Sequence, residues 1–201
     1  MKTKLSLLSL VYLLAFVFAC SDKKKETHDD HAAMEHPTTT EIPTEAAAPT
    51  FMVDQKFQGQ LAKSFNAYVE LKDAFVASDG KLVKVKAEET RKALSGIDAN
   101  LLAGETQNDW MTYLAEIDIS LKEIQATEDL EQQRVAFSPL SDNFYKSIKA
   151  FGLGGGIAYY EYCPMAFNNE GAYWLSDNSA IRNPYFGDKM LKCGSVQAML
   201  K

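Results

Sequence analysis

The sequence predicts a mainly α protein, an up-and-down four-helix bundle with a small irregular α+β module at its C-terminal end. Three observations predict it. Four segments repeat apolar residues at spacings of three and four, the connections between them are short, and past Gly152-Leu-Gly-Gly-Gly156 the chain turns to Tyr, Phe, Trp, Gly, Asn and Pro around two cysteines. Apolar residues make up 46% of the 201 residues and aromatics 11%, enough to fill one core, and the length excludes a large multidomain enzyme.

The first helix carries Phe57, Leu61, Phe65, Tyr68, Leu71 and Phe75 after an Asp54 cap, and stops before Asp79-Gly80. A weaker stripe, Val83, Ala87, Thr90, Leu94 and Ile97, gives the second. Trp110, Leu114, Ile117, Leu121 and Ile124 give the third, opened by Asn108 or Asp109. The fourth runs from about Thr127 to Phe151 through Leu130, Phe137, Phe144 and Ile148, with Pro139 expected to bend or restart it. The stripes keep helical spacing with no polar ligand between them, so they read as bundle core. The glycines of 152–156 follow a helix and precede a strand-like run, the reverse of a nucleotide loop, and are expected to act as a flexible hinge.

Residues 1–20 read as a secretory leader: Lys2 and Lys4, an apolar run from Leu5 to Phe18, then Ala19 before Cys20. The apolar stretch is shorter than the roughly 20 residues that span a bilayer, which favours a lipoprotein signal over a membrane helix. Cys20 would then carry acyl chains and anchor the protein in a bacterial cell envelope, on the periplasmic side or at the outer membrane. Residues 21–50 lack large apolar side chains and are expected to form a disordered tether. All three histidines lie there, in His28-Asp-Asp-His31-Ala-Ala-Met34-Glu-His36, where His28, His31, Met34 and His36 offer a secondary metal-catching set. A solvated polar linker is the plainer reading of that stretch. Net charge is −6, more acidic once the leader is lost, so nothing favours a nucleic-acid partner.

The bundle is assigned to 51–152 and the module to 153–201, packed on it. Ile157 to Tyr162 favours a strand. Beyond it, Cys163-Pro-Met165 and Met190-Leu-Lys-Cys193 each place two sulfurs where local geometry turns them the same way, and brought together they would make a four-sulfur pocket. Thiolate and thioether select Cu(I), with Ag(I) as a mimic, over hard cations, and zinc fits less well because thioether is a poor zinc ligand and the module has no histidine. The competing reading is a Cys163–Cys193 disulfide, closing about thirty residues of chain and contributing roughly 3–4 kcal/mol. Spacing alone leaves the two equal, apart from the flanking methionines.

The runs Tyr159 to Ala166, Gly171 to Ser176, Ile181 to Gly187 and Met190 to Gly194, with Tyr68 to Ala74 and Gln133 to Ser141 in the helices, resemble the domain of unknown function 3347 family. The resemblance covers about residues 55–198. That family occurs as bacterial lipoproteins and at the end of adaptor subunits of heavy-metal efflux pumps, so the resemblance implies copper or related metal handling. It supplies no established activity or ligand set.

The expectation is therefore a lipid-anchored envelope Cu(I) or heavy-metal binding protein, sequestering metal or handing it to an efflux adaptor. The sequence offers no catalytic constellation, and a non-enzyme is expected. The alternative is a disulfide-stapled interaction module of an envelope complex. A thiol oxidoreductase ranks low without a Cys-x-x-Cys motif.

Overall fold

The computed structural model describes residues 44–201. The leader, Cys20 and the tether residues His28, His31, Met34 and His36 lie outside the described residues. Four long helices follow in order: α1 Gln55–Val76, α2 Gly80–Ser95, α3 Glu105–Ala126 and α4 Leu130–Phe151. Each packs on the next and α4 returns to α1, as short connections require. Asp54, Asp79 and Asp129 cap α1, α2 and α4 by accepting backbone N–H groups of the first turn. α3 starts four or five residues earlier than its apolar stripe implies. Gly104, at φ 59°, takes the cap position there, and the first turn is polar, so the stripe begins only at Trp110.

Pro139 does not restart α4, because the helix runs through it. The proline lies on the exposed face, and so does Val135, whose carbonyl loses its i+4 partner; water can satisfy that oxygen. The predicted stripes form the core: Phe57, Leu61, Tyr68, Phe75, Trp110, Phe137 and Phe144 are among its largest fully buried side chains.

The C-terminal module is a three-stranded antiparallel sheet, β1 Ala158–Cys163, β2 Ala172–Ser176 and β3 Ser195–Leu200, in the order β2-β1-β3. Its residues Trp174, Leu175 and Tyr185 belong to the same buried cluster as the helices. Hydrogen bonds fasten it there. The Leu175 amide donates to Tyr68 Oη (3.1 Å), which sits 2.7 Å from Ser141 Oγ, and Tyr185 Oη donates to the Tyr173 carbonyl. Tyr68 and Tyr185 thus occupy backbone groups of β2 that no third strand takes, which blocks that edge against pairing with another chain. Tyr145 of α4, Tyr160 and Tyr173 stack in a row at 4.0 and 4.7 Å.

Two expectations change. The glycine run is no free hinge: Leu153 is buried, Gln58 Nε2 donates to the Phe151 carbonyl, and a Cβ on Gly152 would press on the Lys201 carbonyl. The tether also ends before residue 50. Ala47 bridges Leu200, its amide donating to Met199 O at 2.8 Å, and Thr50 and Phe51 donate to the end of α4. Among the described residues no helix is long and apolar enough to cross a membrane.

Candidate functional site

Cys163 closes β1, on the same side of the strand as Glu161, and Cys193 sits in the loop that leads into β3. The loop from Asp177 to Gly194 folds back over Trp174. Asn183 organises it: its side chain donates to Cys193 O and accepts from the Tyr185 amide, and its own amide donates to Leu191 O. Arg134 of α4 holds the loop to the bundle through the Pro184 carbonyl, while also reaching Ser78 Oγ and Glu131. Gly194 follows Cys193 at φ 141°, and a Cβ there would strike both Trp174 and the Tyr162 carbonyl, so only glycine passes.

This scaffold brings Cys163 Sγ and Cys193 Sγ to 2.8 Å of each other. Both are free thiols, Cys163 buried and Cys193 half-buried. Burial and the neighbouring Cys163 push the Cys193 thiol up to about 11, against an opposing pull from the Met165 backbone amide. The Cys193 thiol is therefore protonated at neutral pH, and a soft metal must displace its proton.

Met165 and Met190 share the wall of an adjoining cleft of about 410 Å³, with Arg134, Phe167, Tyr185 and Phe186, and neither cysteine lines it. Among the described residues no three His, Cys, Asp or Glu side chains converge as a metal-holding group.

Sequence reasoning missed Glu161. It is fully buried, neither carboxyl oxygen has a hydrogen bond, and the facing Trp174 Nε1 has none either. Burial pushes its pKa up to about 8, moderated by the buried Lys72 and reinforced by Asp177. Nothing in its sequence setting, Tyr160-Glu-Tyr162, signals this beyond its place on the same strand face as Cys163.

No curated protein and no solved structure matches the chain significantly. One family model matches residues 64–156, most of the bundle, and ends ahead of β1, so both cysteines lie outside the matched segment. That segment is similar to DUF3347, a family described as a protein of unknown function.

Proposed function

We propose that the protein is a lipid-anchored binding protein of the bacterial envelope that takes Cu(I), or a related soft metal, as cargo on Cys163 and Cys193 and sequesters it or hands it to an efflux system. The approach of two thiols from chain segments 30 residues apart carries this reading. Two thiolates are the soft donors that select monovalent copper. Metal–thiolate bonds of about 2.3 Å hold two sulfurs up to about 4.6 Å apart, so admitting an ion means drawing the Cys193 loop back from β1. His28, His31, Met34 and His36 serve as a first catch for ions in this reading, and Cys20 carries the lipid. No bond-making chemistry is assigned, and the protein acts as a binder.

The second reading is a disulfide staple, and the same 2.8 Å favours it, since closure to a bond needs only a small further approach. One experiment separates them. Reduced wild-type protein and the Cys163→Ser/Cys193→Ser variant, shown to fold by circular dichroism, compete with a chelator for Cu(I). The metal reading expects tight binding by the wild type alone, with a rise in Tm on loading because the ion binds only the folded form. Equal binding by both proteins returns the pair to a staple.

A further inference from the structure

The four sulfurs divide into two sets. The thiols of Cys163 and Cys193 face each other, whereas Met165 and Met190 line a cleft between α4 and the two chain segments that carry the cysteines. The sets are neighbours through backbone: the Cys193 amide donates to the Met190 carbonyl, and the Met165 amide lies against the Cys193 sulfur. Met165 is 46% exposed, although a methionine usually packs inside. The charged residues of the cleft, Arg134 and Glu131, are paired with each other at 2.7 Å. What the cleft offers a ligand is then thioether, aromatic faces and amides, a donor set for a soft cation.

The wall that carries Met165 is held under strain. Phe167, Asn168 and Asn169 are consecutively left-handed, at φ 49°, 57° and 73°. Such a conformation is costly for a bulky L residue. Phe167 is kept there by an edge-to-face contact with Tyr185 at 5.3 Å, and the Gly171 amide closes the turn on the Ala166 carbonyl. Strain of this kind persists where surroundings over-determine it, and here it fixes the turn directly after Met165.

We propose that Met165 and Met190 form a separate outer site for a monovalent soft cation, Cu(I) or Ag(I), from which the ion passes to the thiol pair. The passage rests on the thiol reading above; the outer site does not. Ag(I) is the probe, being soft and not reduced or oxidised in the titration. It is added to the Cys163→Ser/Cys193→Ser protein labelled with ¹³C at the methionine methyls, and Met165→Leu and Met190→Leu assign the two signals. The expected result is a joint shift of Met165 and Met190 that saturates before Met52, fully exposed, and Met111, half exposed, respond. All four methyls moving in parallel, or Met165 and Met190 not moving, overturns the site. Should the serine variant not fold, the wild type with its two thiols oxidised to a disulfide takes its place in the same titration. In reduced wild type, Leu at both positions should slow the arrival of Cu(I) at the thiols, followed by thiolate-to-copper absorbance; unchanged arrival removes the passage. Methyl shifts without thiol binding would leave the outer site standing and sink the thiol reading, and the reverse outcome would do the opposite.

Discussion

The bundle and the sheet module share one core but differ in what they leave unpaired inside it. Buried polar groups of the bundle are mostly answered: Arg134 donates to Pro184, Glu131 and Ser78, and the Gln133 amide nitrogen donates to Gly80, Ile124 and Thr127. Its exceptions, Trp110 Nε1 and Gln133 Oε1, are neutral. The module buries a carboxyl group with neither oxygen bonded, and adds three consecutive left-handed residues. A buried ionised carboxylate without partners is far costlier than a neutral orphan. The sheet therefore draws its stability from the helices it leans on, which lets it keep strain and a buried, protonated carboxyl group beside the two thiols.

The largest effect should come from breaking the shared core. Phe137 is fully buried and contacts Tyr68 and Phe75 of α1 and Tyr185 of the module. Phe137→Ala should cost about 3–5 kcal/mol in urea unfolding. Made in a Trp110→Phe background, the remaining Trp174 reports on the sheet while circular dichroism reports on the helices. Coincident transitions are expected, and a sheet that melts on its own would show that the two regions are independent.

Glu161→Gln should sharpen the contrast. The folded pKa of Glu161, about 8, lies above its ordinary value near 4.5, so the native protein holds a proton that the unfolded chain has released between those limits. The stability tied to that proton is complete below about pH 4.5 and is lost as pH rises toward 8, by at most about 1.4 kcal/mol per pH unit. Gln carries no such proton, so in metal-free protein the variant should gain on the wild type steadily from pH 5 to pH 8. Parallel pH profiles of the two would mean that Glu161 is ionised and matched in the folded state.

The bundle was legible because its stripes are made of Phe, Tyr, Trp and Leu at helical spacing, and those side chains have nowhere else to go. The start of α1 was legible because Asp54 caps it, while α4 begins at Leu130 behind the Asp129 cap, about three residues after the expected Thr127. α3 was misplaced because Gly104 carries no capping side chain and Glu105 to Asp109 show no apolar position. The cysteine pairing was foreseen as a contact, while the cleft that Met165 and Met190 line without either cysteine was not: i+2 and i+3 spacing says which way residues point only if the segment is regular, and Phe167 to Asn169 follow no regular period. Glu161, Lys72 and Arg134 were invisible for a related reason. A charged residue reads as surface unless the fold that covers it is known.

The smallest effect concerns the strap where the two regions meet. Residues 47–51 run from the β3 edge to the end of α4, with the Ala47 amide on Met199 O, the Lys201 amide on Ala47 O, the Thr50 and Phe51 amides on Lys149 and Ala150, and the Phe51 ring stacked on Phe151 at 5.9 Å. A chain beginning at Thr44 keeps all of these and should match the longer protein in stability. One beginning at Met52 loses them. Solvated backbone bonds near an end contribute about 0.5–1.5 kcal/mol each at most, and a frayed terminus realises less, so a total loss of about 1–3 kcal/mol is expected. Hydrogen exchange should locate it: faster exchange at Leu200 and Lys201 and in the last turn of α4, with the centres of α1 and α3 unaffected. Identical Tm values for the two truncations would mean that the strap only lies along the surface, and that the sheet is held by its contacts with Tyr68, Tyr145 and Phe137 alone.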